Sequence, residues 1–139
     1  MLKIEDFHPY QVRAIQEAIT MQQGCLFLGT GLGKTIISLT IYDQLLKRGL
    51  VESALVIAPK RVMDNVWRQE AAKWEHTQHY VISRVHGSET RGGVEYSRQY
   101  NFARQAHIYL INYEAIGWLC DQLHKTKRNK FQVIFYDES

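Results

Sequence analysis

The sequence predicts an α/β fold in which a mostly parallel sheet is flanked by helices. Three observations carry this. Short apolar runs, among them Ala54 to Ala58 and Ile108 to Ile111, are too brief for helices and have the unbroken apolar character of strands buried on both faces. Between them lie longer segments whose apolar residues recur at helical spacing. A glycine-dense turn joins the first apolar run to the helix after it, and strands alternating with helices build parallel sheets with ligands at the strand C-terminal ends.

Pro9 suits a first helical turn, and Val12, Ile15, Ala18 and Ile19 follow at helical spacing until Gln22-Gln23-Gly24 ends the helix. A strand is expected from Cys25 to Leu28. The next helix carries Ile36, Ile37, Leu39, Ile41, Leu45 and Leu46, and Arg48-Gly49 closes it with a cation and a terminating glycine. Ala54 to Ala58, stopped by Pro59, reads as a buried strand. Lys60 to Trp74 reads as a helix with Met63, Trp67, Ala71 and Trp74 on one face, the tryptophans being core anchors rather than base-stacking groups. Tyr80 to Val85 is a third strand, ended by His86-Gly87-Ser88. Ser88 to Arg104 has no clear period: Gly92-Gly93 interrupts it, and the polar run beyond suits a surface helix. Ile108 to Ile111 is a fourth strand, and Asn112 is placed to cap a helix bearing Ile116, Leu119, Cys120 and Leu123. Lys125, Lys127, Arg128 and Lys130 crowd a stretch read as a solvated loop. Phe131 to Tyr136 is the fifth strand, and Asp137-Glu138-Ser139 follows it.

Composition limits the function classes. At 139 residues the chain holds at most one domain, and 45% hydrophobic with 22% charged residues is ordinary for a globular protein. No apolar run approaches the length of a membrane span, so no membrane partner is expected. The start, Met1-Leu2-Lys3-Ile4-Glu5-Asp6, lacks the apolar core of a signal peptide. Cys25 and Cys120 have no ligand spacing and read as free thiols of a reducing, intracellular compartment, cytoplasmic or nucleoid-associated. A net charge of +3 permits nucleic-acid binding without arguing for it.

The chemistry concentrates at two places. In Leu28-Gly29-Thr30-Gly31-Leu32-Gly33-Lys34-Thr35, glycines let backbone N–H groups converge on an anion, and the following helix adds its positive dipole end. Lys34 would reach the β- and γ-phosphates of a nucleotide and Thr35 would place a hydroxyl on Mg²⁺. Leu28 stands where the strict P-loop pattern has its first glycine, so that pattern fails by one residue. The second place is the acid pair after the fifth strand. Asp137 at a strand end can hold Mg²⁺ opposite Thr35, and Glu138 can orient and deprotonate the water attacking the γ-phosphate.

These segments, in this order, resemble the first RecA-like motor domain of a superfamily-two helicase or translocase, with 1–139 covering the N-terminal part of that domain. Thr30-Gly31-Leu32-Gly33-Lys34-Thr35 is similar to motif I, which does not require the glycine that Leu28 replaces. Phe7-His8-Pro9-Tyr10-Gln11 resembles the upstream Q-type motif, which implies that Gln11 bonds the adenine edge. Thr30, Gly31, Leu32, Gly33, Lys34 and Thr35 would then cradle ATP. Ala54 to Lys60, continued by Val66 to Glu70 and Lys73-Trp74, resembles motif Ia of the Swi/Snf-like branch. Leu110 to Glu114 resembles that branch's motif Ib, and Val133 to Glu138 matches motif II; Ser139 stands where many relatives carry Ala. The resemblance implies stepwise tracking along nucleic acid, DNA in preference to RNA, with ATP and Mg²⁺ as cofactors. Lys60, Arg61, Asn112 and Tyr113 would grip the nucleic acid. Lys60 and Arg61 sit at a helix start, where cations oppose the helix dipole, so a phosphate partner explains them better than helix stability does.

The resemblance also implies parts beyond Ser139: motif III, a second RecA-like domain and arginine fingers, which contribute about three to five decades of rate. A weak catalyst is therefore expected of residues 1–139 alone. The strand after motif II would stand between the motif I and motif II strands. Without it, unpaired ladder groups predict a rearranged sheet, a swapped or self-associated assembly, or dependence on another chain. The competing functional readings are a non-catalytic, nucleotide-dependent nucleic-acid-binding scaffold and a small-molecule P-loop kinase. The kinase reading leaves the Val66 to Trp74 segment without a role.

Overall fold

The computed structural model describes residues 25–28, 34–86, 88–126 and 131–137. Strand β1 (Cys25–Leu28) precedes helix α1 (Lys34–Lys47), and β2 (Ala54–Ala58) precedes α2 (Lys60–Asn65) and α3 (Trp67–Ala72). Strand β3 (Ile82–Arg84) leads into β4 (Ser88–Arg91), β5 (Val94–Ser97) and α4 (Arg98–Ala103). Strand β6 (Ile108–Asn112), a 3-10 turn (Tyr113–Ala115), α5 (Ile116–Thr126) and β7 (Val133–Asp137) complete the described chain. The expected helix after Pro9 lies outside the described residues. No described helix is long and apolar enough to cross a membrane.

The main sheet has five strands in the order β1-β7-β2-β6-β3, all paired in parallel. Alternation along each strand sorts side chains to two faces. Ala54, Val56 and Ala58 of β2, Ile108 and Leu110 of β6, and Val133 and Phe135 of β7 share one core with α1 and with Met63, Trp67 and Ala71. Leu55, Tyr109 and Ile111 face the other way, toward Phe102 of α4 and Leu119 of α5. The result is helices on both faces of a buried parallel sheet, the arrangement the apolar runs predict.

Two local predictions hold in atomic detail. Gly49 adopts φ 72°, its N–H bonds Leu46 O at 3.0 Å, and Leu50 N–H bonds Leu45 O at 3.0 Å, the paired closure of a helix ended by a left-handed glycine. Met63, Trp67, Ala71 and Trp74 are all buried, as their spacing predicts. Their helix is interrupted, however. It divides at Val66 and ends at Ala72, with Trp74 beyond it, although the Val66 N–H to Val62 O and Glu70 N–H to Val66 O bonds carry the ladder across the break.

Three expectations are corrected. The region from Ser88 opens with a hairpin, with Arg91 opposite Val94 across Gly92 and Gly93. Both glycines have positive φ (56° and 81°), which a two-residue turn of this hand requires. The predicted surface helix follows it as α4, capped by Ser97 Oγ, which accepts from Tyr100 N–H at 3.1 Å. Second, Asn112 occupies the cap position of the 3-10 turn but its side chain makes no capping bond. Its Nδ2 donates to Glu114 Oε2 at 2.8 Å, which orients the amide, while the Oδ1 that a cap bond would use has no partner among the described residues. Third, no gap separates the strands of motifs I and II: β1 pairs directly with β7 from Cys25↔Ile134 to Leu28↔Asp137. This order bonds the ladder of β7 on both sides.

At the opposite, N-terminal end of the strands a polar cluster is buried beneath α1. Asp43 accepts from the Tyr80 hydroxyl and pairs with Lys47 Nζ at 3.0 Å. His76 Nε2 lies 2.7 Å from Thr40 Oγ1, and His107 Nδ1 accepts from Val81 N–H at 2.9 Å. Burial, and then the neighbouring His79, lowers the pKa of His107 below the ordinary histidine value. Burial likewise lowers that of His76, against an opposing pull from Asp43. The sign follows directly: below about pH 6.5 the unfolded chain takes up protons that the folded chain resists, so stability is full above that pH and falls as pH drops through the folded values. Thermal unfolding at pH 5.5 is expected to give a lower Tm than at pH 7.5. His107→Asn, whose amide oxygen can still accept from Val81, should lose less. Equal losses in the two proteins would remove His107 from the account.

Candidate functional site

The register brings the predicted chemistry to one edge of the sheet. Leu28, the last residue of β1, stands opposite Asp137, the last of β7. On the other side of β7, Tyr136 is level with Ile57, one residue before the end of β2, and Ala58 is opposite Asn112 of β6. The C-terminal ends of β1, β7, β2 and β6 therefore form one row, in that order. Parallel strands separated by crossovers put such ends together, and in open α/β sheets this is the edge at which ligands bind.

Each predicted residue can be placed against that row. Lys34 and Thr35 are the first two residues of α1, so the positive end of that helix is presented on the edge where β1 ends. Thr35 is half-buried. Asp137 is buried, with 8% of its surface exposed. Lys60 and Arg61 begin α2, directly after β2, and both are exposed, with no acidic residue in that first turn. Asn112 is buried, and its Oδ1 has no hydrogen-bond partner among the described residues, so the amide retains acceptor capacity. Gln11, Thr30, Gly31, Leu32, Gly33 and Glu138 lie outside the described residues, and for Lys34 only its place in α1 is described.

Two contacts to Asp137 are illegible in the sequence. Trp67 Nε1–H donates to Asp137 Oδ2 at 3.4 Å, between residues 70 apart. The Tyr113 hydroxyl donates to the main-chain carbonyl of Asp137. Trp67 has its expected core position, yet its polar tip meets the acid. Tyr113 is half-buried and tied to β7, a tie that its assignment to nucleic acid did not include. Nothing in the spacing of either residue signals these bonds, because both depend on β7 lying between β1 and β2.

Comparison with known proteins agrees with this geometry. The family model described as type III restriction enzyme, res subunit (ResIII) matches residues 4–139. The chain belongs to the ResIII family. This ResIII chain is 30% identical over 132 residues to protein p41 of Acyrthosiphon pisum secondary endosymbiont phage 1, covering 94% of this chain and 27% of that protein. It is 41% identical over 137 residues to the bifunctional helicase and thymine dioxygenase JBP2 of Trypanosoma brucei brucei, covering 91% of this chain and 12% of that protein. The JBP2 of Leishmania tarentolae is 32% identical over 142 residues, covering 94% and 13% respectively. Among solved structures, the Sulfolobus solfataricus SWI2/SNF2 ATPase core in complex with dsDNA superposes with a TM-score of 0.64 at 25% identity. That match covers 96% of the ResIII chain and 26% of the Sulfolobus chain. The ResIII chain thus spans about an eighth to a quarter of the length of these relatives. Its fold is that of a superfamily-two helicase RecA-like domain, with an ATPase-like arrangement of strands and helices.

Proposed function

We propose that this ResIII chain is the nucleotide-binding part of the first RecA-like domain of a Swi/Snf-like translocase that uses ATP and Mg²⁺ to move along double-stranded DNA. The observation that carries the reading is the register Leu28↔Asp137. It sets Asp137, the acid assigned here to the metal, beside the strand that precedes the Gly-Lys-Thr segment. Residues 29–33 and the start of α1 would hold the triphosphate through backbone N–H groups and the helix dipole, with Lys34 adding a cation. The donor set suits Mg²⁺: the Thr35 hydroxyl and the buried Asp137 carboxylate are hard oxygens from two elements that end on the same edge. When bound, the ion would neutralise charge on the β- and γ-phosphates. Glu138 would accept the proton of the attacking water, and Gln11 would hold the adenine edge.

Nucleic acid would lie across the same row of strand ends. Lys60 and Arg61 are exposed and free of acidic neighbours in their turn, as phosphate contacts require. Asn112 retains an acceptor that suits a sugar or base donor. The dsDNA in the Sulfolobus complex supports DNA over RNA. In the intact protein, ATP turnover is expected to rise on addition of duplex DNA. Lys34→Ala should lower it by about two to three decades, as loss of one preorganised electrostatic group does. Turnover indifferent to DNA across a salt series would remove the motor reading, and activity that survives Lys34→Ala would remove the site.

A further inference from the structure

We propose that Trp67 and Tyr113 are positioning residues for Asp137, linking the two segments assigned above to nucleic acid to the metal-holding carboxylate. The proposal rests on the role given above to Asp137, and it adds the means by which occupancy of one site is felt at the other.

The indole of Trp67 is 2% exposed, and its single polar atom is a donor with no acceptor capacity. Meeting Asp137 Oδ2 at 3.4 Å, it orients the carboxylate. Tyr113 acts on the main chain of the same residue, donating to its carbonyl where the β1–β7 ladder ends. Side-chain direction and strand end are therefore held by two separate elements, and neither is a neighbour of Asp137 in sequence.

Those elements are the ones that carry the exposed cations and the buried amide. Trp67 starts α3, and the Val66 N–H to Val62 O and Glu70 N–H to Val66 O bonds join α3 to α2, which begins at Lys60 and Arg61. Tyr113 follows Asn112 directly at the end of β6. A phosphate backbone that shifts α2 or the Asn112–Tyr113 corner also shifts a donor to Asp137. Linkage is reciprocal, so nucleotide and metal would alter the grip on DNA by the same factor.

The test is equilibrium binding of a fluorescent ATP analogue to the wild type, Trp67→Phe and Tyr113→Phe, in EDTA and across a Mg²⁺ titration, with and without duplex DNA. Both substitutions keep the ring and remove only the donor. Expected are unchanged affinities in EDTA and a Mg²⁺-dependent gain reduced about tenfold in Trp67→Phe, the order of a hydrogen bond to a charged group. A smaller reduction is expected in Tyr113→Phe, and the factor by which DNA tightens Mg²⁺–nucleotide binding should fall toward one in both. A purely structural role would lower affinity in EDTA as well. If the wild type shows a Mg²⁺-dependent gain that both variants retain in full, with the DNA factor intact, the positioning role is overturned while the nucleotide site stands. A wild type with no Mg²⁺-dependent binding overturns the proposed function and this linkage with it. Should Trp67→Phe fail to fold, Tyr113→Phe decides alone through its Mg²⁺-dependent gain measured without DNA, which a lost nucleic-acid contact does not move.

Discussion

Glu138→Gln is expected to lower ATP turnover of the intact protein by about two to four decades while leaving ATP affinity near the wild-type value. The magnitude is that of a positioned general base, and the substitution keeps the shape of the side chain while removing its basicity. Asp137, one residue earlier, is the group assigned to the metal, so the two acids separate by experiment. Loss of Asp137 should weaken Mg²⁺-dependent binding, whereas loss of Glu138 should spare it. The scaffold reading also leaves ATP affinity unchanged in Glu138→Gln, but it has no turnover to lose in any context. Steady-state hydrolysis measured alongside nucleotide binding distinguishes them. An unaltered rate in Glu138→Gln would leave the acid pair without a catalytic member.

Phe135→Ala should cost about 3–5 kcal/mol, the range for removing a buried aromatic ring from a core. Phe135 is 2% exposed and lies on β7, level with Leu26 of β1 on one side and Val56 of β2 on the other. Its ring packs in the core shared with α1 and α3. Since domains of this kind are stable by about 5–15 kcal/mol, the variant would lose a large fraction of the total. The fall in the midpoint of urea unfolding measures it. Such a cost is expected only if β7 is a central strand. A change below about 1 kcal/mol would place Phe135 at an edge and contradict the observed sheet order.

Much of the local structure is legible in the residues themselves. Ala54–Ala58 is bounded by its apolar run and Pro59, and α1 is ended by Gly49, because stop signals act over a few residues. Other elements are hidden. The β4–β5 hairpin announces itself only by two adjacent glycines amid polar residues, without the alternating apolar pattern that marks most strands. Asn112 shows a second kind of limit. Its type and position suit a cap, but the Nδ2 bond to Glu114 fixes the amide with Oδ1 making no capping bond, an orientation that residue type does not encode.

What the sequence determined by itself is the succession along the chain of the five main-sheet strands and of the helices between them, the apolar faces of those helices, and a Gly-Lys-Thr segment and an acid pair that each follow a strand-forming run. Each of these follows from periodicity and turn chemistry within about a dozen residues. Only the tertiary structure decided that β7 lies between β1 and β2, and hence that Asp137 stands beside Leu28 and receives Trp67 and Tyr113. Strand order is a choice among distant ladders whose local signals are alike. It is settled by which pairing leaves the fewest buried backbone groups unbonded and the most apolar surface covered.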